Sequence, residues 1–200
     1  MTYIDTKVEE VLNFWFDYSS NHGALYTREC WWQKNEAFDN TIRKQFSKLR
    51  SEAITGKLNA WLEMPRGTLA YIILLDQFSR NLFRESPEMY EHDGLALQAA
   101  LNGIEKGFDQ NLSLTERVFF YMPFEHSENF QYQELSLKLF KKILGESLSD
   151  VKSIAENYYK FAEDHYSIIK KFNRFPHRNK ILGRTSTEDE VLFLKTHQGW

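Results

Sequence analysis

Apolar side chains recur along this chain every three to four residues, the period of an amphipathic helix, and no stretch alternates cleanly at period two. The first such pattern, with Val8, Val11, Leu12 and Trp15 on one side, predicts a helix capped by Asp5 or Thr6 and reaching about Tyr18. A loop over Ser19–Thr27 separates it from a second helix, about Trp32–Thr55, whose stripe is Phe38, Ile42, Phe46, Leu49 and Ala53. Gly56 is placed to end that helix. Pro65 suits the first turn of a third helix that reaches about Phe83. Ser86, followed by Pro87, resembles the cap of a helix running to about Lys106. Ser113 and Glu116 have capping-box spacing, and Pro123 interrupts the apolar stretch behind them. Further helices are predicted over about Ser127–Leu144, stopped by Gly145, and from Ser149 or Asp150 to about Phe172. A basic loop, Asn173–Ser186, leads to a second capping box at Thr187 and Glu190, which opens a short terminal helix. The expectation is a single all-α domain of about eight helices, packed antiparallel as in bundles and helical-hairpin solenoids.

Composition narrows the function classes. The 200 residues are 42% hydrophobic and 26% charged, an ordinary globular balance, in a length that suits one core. Aromatic residues are abundant, with 16 Phe, 10 Tyr and 5 Trp, and large rings fill wide gaps between helices. The net charge of −3 and the lack of a basic arm argue against nucleic acid as a partner. The longest apolar run, Leu69 to Leu75, is too short to span a bilayer, and Met1–Glu10 does not read as a signal peptide. A single cysteine, Cys30, excludes an internal disulfide and fits a cytoplasmic protein. The carboxy-terminal Gly199-Trp200 is a candidate for docking on the domain or on a neighbouring chain, so a homo-oligomer stays open.

Three polar stretches carry candidate chemistry. The helix that holds Leu69–Leu75 is apolar on all sides, then changes character at Asp76. At helical spacing Asp76, Gln77, Arg80, Asn81 and Arg84 fall within roughly 140° of one another, with Phe78 and Leu82 opposite. Asp76 and Arg80, four apart with the acid first, can pair; the plain reading is an ion pair at a wet helix end. The second stretch is Glu125-His126-Ser127-Glu128, with His126 and Gln133 seven apart on one face. Its plain reading is a helix start with Glu125 and Glu128 as first-turn acids and Ser127 as cap. Its spacing lacks the close His and Glu pairs of helical metal sites, so neither a metal nor a cofactor is expected. The third comprises His165, whose plain reading is a satisfied core histidine, and the loop Phe172–Ser186. That loop mixes Phe, Ile and Leu with Arg174, His177, Arg178, Asn179 and Arg184, so it should pack down and find acids or an anion for its arginines.

Taken together, these segments resemble a known family. The matching stretches are Val11–Phe16, Trp31-Trp32, Leu74–Arg84, Met122–Glu128 with Gln133, His165, Phe172–Asn179 and Leu182–Thr187. They are similar to the bacterial domain of unknown function 924, a helical family with a tetratricopeptide-repeat-like fold. Ser79 stands where that family often has Pro, and Asn173 where it often has Gly. The resemblance implies a fold and no established reaction. It also implies that the shared positions are mostly polar, which favours a site over packing alone.

Three functions follow, in this order. The first is a binding module in which the polar stretches converge on one pocket for a small anionic molecule or a peptide end. There Arg80, Arg84, Arg178 and Arg184 would hold the charge, and Asp76, Gln77 and Asn81 would set orientation. Trp15, Trp31 or Trp32 would supply walls, and His126, Glu128, Gln133, His165, His177 and Asn179 would complete the site. The second is a structural polar network without a ligand. The third is an enzyme, a hydrolase or transferase for an anionic metabolite, with His126 or His177 as base and Asp76 or Glu128 orienting it.

Overall fold

The computed structural model describes residues 3–20, 23–197 and 199, and every regular element among them is helical. Helix α1 spans Tyr3–Phe16, a short α2 spans Glu29–Trp32 and α3 spans Glu36–Ile54. Helix α4, Pro65–Ile72, runs on through a π-helical turn, Ile73–Gln77, into α5, Phe78–Leu82. Then come α6, Asp93–Glu105, α7, Leu114–Glu125, α8, Phe130–Glu146, α9, Lys152–Phe172, and α10, Glu188–Leu194. Among the described residues no helix is long and apolar enough to cross a membrane.

The α4–α5 segment is the axis. Leu69 to Leu75 and Phe78 are all buried, as the all-round apolar pattern requires. Helices α1, α3, α6 and α7 pack around it, and α8 and α9 extend the stack from α7. Aromatic rings fill the centre: Trp15 lies 5.7 Å from Phe78 and 5.3 Å from Phe119, both edge-on, and Phe14 stacks on Phe38 at 4.7 Å. Each such ring withdrawn from water contributes about 1.5–3 kcal/mol. Helices α4, α6 and α7 approach closely because Gly103 has no side chain; a Cβ there would stand 2.5 Å from the Phe120 ring.

The boundaries depart from the sequence pattern in instructive ways. Helix α1 starts at Tyr3, so Asp5 and Thr6 lie inside it rather than ahead of it; it ends at Phe16, before the left-handed Asp17. The second predicted helix is split, because the Asn35 side chain accepts from the Phe38 N–H and restarts the chain as α3. Ser86 makes no capping bond; a 3-10 turn over Pro87–Met89 intervenes and α6 begins only at Asp93. Pro123 stays inside the last turn of α7. Asn129, not Ser127, caps α8, which passes through Gly145 to Glu146. Neither Ser149 nor Asp150 caps α9, which starts at Lys152. Both capping boxes, at Ser113 and Thr187, form with reciprocal bonds. Residues 21 and 22 of the first loop and Trp200 lie outside the described residues, while Gly199 sits against the His177 ring.

Candidate functional site

A cavity of about 560 Å³ opens between the α4–α5 axis, the end of α7, α9 and the Pro176–Arg178 turn. Its floor is polar and its walls are apolar. Trp31, Trp32, Met89, Ile154, Tyr158 and Phe161 supply much of the wall. Trp15, a candidate wall in the sequence, is instead buried in the core, where it packs on Trp31.

The floor begins at the π turn. An extra residue in that turn leaves Asp76 and Gln77 buried, and π turns mark functional segments often enough to draw attention. Asp76 is fully buried, and its Oδ1 meets His126 Nδ1 at 2.7 Å and Arg80 Nη1 at 2.9 Å. Its other oxygen accepts from Gln77 Nε2 at 2.5 Å. Burial alone would raise the Asp76 pKa, but Arg80 and His126 outweigh it and hold the carboxyl well below the usual range. Asp76 is therefore an acceptor only, so His126 Nδ1 carries the hydrogen of that bond. Burial and Arg80 push the imidazole pKa below its ordinary value, which leaves the ring neutral with an unprotonated Nε2.

Asp93, at the start of α6, ties the arginines together. Arg80 grips it with two bonds of 2.9 and 3.0 Å, while Arg178 reaches only to 4.0 Å. The Arg178 guanidinium is buried between the Tyr90 ring, 4.5 Å from its centroid, and the Phe175 ring, 4.4 Å away. Its Nε has no hydrogen-bond partner among the described residues. Burial and the nearby Arg80 lower the Arg178 pKa, the signature of a cation short of compensation.

Glu125 and His126 close α7. The sequence pattern predicts Glu125 in the first turn of a helix; it is the last residue of α7, where the helix dipole opposes a negative charge. Burial, with the negative Asp76 nearby, pushes its pKa up to about 8, so it is a neutral acid at pH 7. Beside it His165 Nδ1 donates to the Phe161 carbonyl at 2.8 Å and lies 3.3 Å from Glu125 Oε1. Burial holds His165 well below its usual pKa, and burial with Arg178 lowers His177 to about 4.

Of the residues singled out in the sequence, Gln77, Arg80, Asn81, Arg84, His126, His165, His177 and Arg178 border the cavity, with Asp76 directly behind His126. Arg84 is occupied by Asp39, at 2.8 Å, and Asn81 donates to the same carboxylate at 2.7 Å. Glu128, Gln133, Asn179 and Arg184 are not part of the lining. Arg184 clamps Glu128 at 2.7 and 2.9 Å, Glu128 accepts from the Phe175 N–H, and Asn179 bridges Arg184 and Ser186. Gln133 does not share a helix with His126; its amide caps the end of α7 by donating to the carbonyls of Glu125 and Ser127 at 2.7 and 2.6 Å. The basic loop thus packs down as expected, but Arg174 and Arg184 find the acids Glu190 and Glu128.

Asp93, Tyr90 and Glu125 escaped the sequence reading as site residues. The helix predicted from Ser86 places Tyr90 and Asp93 inside it as an ordinary aromatic and an ordinary acid, so neither carries a local signal. Adjacency to His126 was the one cue for Glu125. Among the described residues, no group of three or more His, Cys, Asp or Glu side chains is placed to hold a metal ion.

Comparison with known proteins agrees with the fold. Residues 11–198 match the profile of a family described as bacterial protein of unknown function, DUF924. A solved structure, the protein of unknown function ATU0120 from Agrobacterium tumefaciens, is 34% identical, with a TM-score of 0.81 over 96% of this chain and 99% of that one. No curated protein matches the chain.

Proposed function

The chain belongs to the bacterial family of unknown function DUF924, and from that premise we propose that it binds a small organic anion with an apolar body in the cavity at the end of α7. Arg178 carries this reading. It is buried, faces a carboxylate only at 4.0 Å, and that carboxylate is already gripped by Arg80. A buried arginine short of a close acid is stabilised by a carboxylate or phosphate from outside. The walls of Trp31, Trp32, Tyr158 and Phe161 suit the apolar remainder of such a ligand. The charged group belongs either to a free metabolite or to a peptide end, and both present the same chemistry. The single Cys30, free of any disulfide, suits a cytoplasmic setting for this activity.

Thermal unfolding with hexanoate, inorganic phosphate or sulfate tests the reading. A ligand at a hundred times its Kd adds about 2.7 kcal/mol, which for this size shifts Tm by roughly 5–10 °C. Hexanoate should produce that shift, and Arg178→Met should abolish it. No shift with any of the three anions, or an equal shift in Arg178→Met, would sink the proposal.

The structural-network reading is favoured for one part of the molecule. Glu128, Arg184, Asn179, Arg174 and Glu190 bond chiefly to one another and to backbone, and lie outside the lining. They hold the loop that presents Arg178.

A further inference from the structure

We propose that the cavity is a hydrolytic site for a carboxylic ester that also bears an anionic group, with His126 Nε2 as the general base toward a water molecule. The proposal rests on the anion-binding reading and adds a reaction to it.

Three placements support it. His126 borders the cavity, Asp76 holds its Nδ1, and among the described residues no protein group bonds its Nε2. The lone pair of a neutral imidazole is therefore open on the cavity side, and a buried carboxylate fixes the tautomer. Second, Glu125 borders the same cavity as a neutral acid, and a carboxylic acid kept neutral by burial can donate a hydrogen bond to a developing oxyanion. Third, Arg178 anchors the remote anionic group, which sets the ester carbonyl between these neighbouring side chains. No serine or cysteine is among the described residues that line the cavity. Tyr158 donates its hydroxyl to the Tyr26 carbonyl, and among the described residues no hydrogen bond joins the Thr27 hydroxyl to His126, so we take water as the nucleophile.

The step balances without a further reactant. The water oxygen bonds to the ester carbonyl carbon as its proton passes to His126 Nε2, and the carbonyl electron pair moves to oxygen, where Glu125 donates its hydrogen bond. Collapse of the tetrahedral intermediate breaks the bond to the alcohol oxygen. That oxygen takes the proton from His126, so a carboxylic acid and an alcohol leave and the base is restored. Asp76 acts through His126 as a positioning residue.

The test uses the full chain and 4-nitrophenyl hydrogen glutarate, an activated ester with a free carboxylate, and follows release of 4-nitrophenolate near neutral pH. Wild type should exceed the buffer rate and should exceed His126→Gln by about a hundred-fold, the lower range for general-base catalysis. The wild-type rate should fall as the imidazole gains a proton below its ordinary pKa of 6.5. Burial, Arg80 and Asp76 on the axis and Asp93 on α6 set that titration; His165 on α9 faces the ring at 6.3 Å, and Glu125 is its neighbour on α7. A wild-type rate equal to buffer, a rate matched by folded His126→Gln, or a wild-type profile flat from pH 4 to pH 9, with neither an acid limb from His126 nor an alkaline limb from Glu125 at about 8, would overturn the proposal. The pH profile needs no variant, so it decides the matter even if His126→Gln does not fold. Hexanoate binding by wild type without ester turnover would sink the hydrolytic step and leave the binding reading standing; loss of both would sink both.

Discussion

Gln133, in the first turn of α8, donates its side-chain amide to the backbone carbonyl of Glu125, in the last turn of α7, at 2.7 Å. The same nitrogen reaches the Ser127 carbonyl at 2.6 Å and that of Phe124 at 3.3 Å. Carbonyls at a helix end have no partner within the helix, and here a buried side chain from the next helix supplies one. The bond also fixes the corner on which Glu125 and His126 sit. Replacing Gln133 by Leu leaves these carbonyls buried and unpaired, at about 1–3 kcal/mol. Thermal unfolding of Gln133→Leu should show Tm lowered by roughly 2–12 °C; an unchanged Tm would contradict this role.

Asp93 neutralises two arginines at once, and its removal should act oppositely on stability and on binding. In Asp93→Asn, Arg80 keeps at most one of its bonds of 2.9 and 3.0 Å and loses the carboxylate charge, and Arg178 loses its nearest acid. Stability without ligand should fall by about 1–3 kcal/mol as charge is left uncompensated. Affinity for hexanoate, read by calorimetry, should rise by an order of magnitude or more, because the incoming carboxylate then meets Arg178 without its nearest acid and Arg80 held by Asp76 alone. Weaker binding by this variant would count against an anion on Arg178.

Glu125 should make stability depend on pH in an unusual direction. Its folded pKa is about 8 against an ordinary 4.5, so the folded chain keeps a proton that the unfolded chain has released. Its stabilising contribution is full below about pH 4.5 and is lost as pH rises through about 8. Glu125→Gln stays neutral throughout. Its stability relative to wild type should grow between pH 5 and pH 8, by up to about 1.4 kcal/mol per unit. Urea unfolding at the two pH values checks this, and an equal difference at both would refute it.

Gly103 should tolerate no side chain. A Cβ at this position would stand 2.5 Å from Phe120 Cζ and 3.3 Å from Thr68 Cγ2, so α6 would be forced off α4 and α7. Gly103→Val should cost roughly 1–3 kcal/mol by overpacking, visible as a lower urea midpoint. At Gly94, where an added Cβ meets nothing within 4 Å, alanine should cost far less.

Much of this architecture is written in local pattern. Leu69–Leu75 announces a buried helix because no face of it is polar, and Ser113 and Thr187 announce helix starts because hydroxyl and glutamate stand three apart. Such signals act over one or two turns, so they survive in one dimension. They mislead where two local signals compete. Ser127 and Asn129 both suit a cap, and Asn129 takes the role while the Ser127 carbonyl accepts from the Gln133 amide.

Residue order alone dictates that the chain is helical, which helix is central, and that Asp76, His126 and Arg178 bring polar groups among apolar ones. Which of those groups face one cavity, and which are consumed as partners of each other, follows from the packing of the helices. Arg178 and Arg184 look alike in the basic loop, yet one stacks between two rings with its acid at 4.0 Å and the other closes on Glu128 at 2.7 Å. The reason is physical: a charge is satisfied by whatever stands within about 4 Å of it, and those neighbours come from helices remote in the chain.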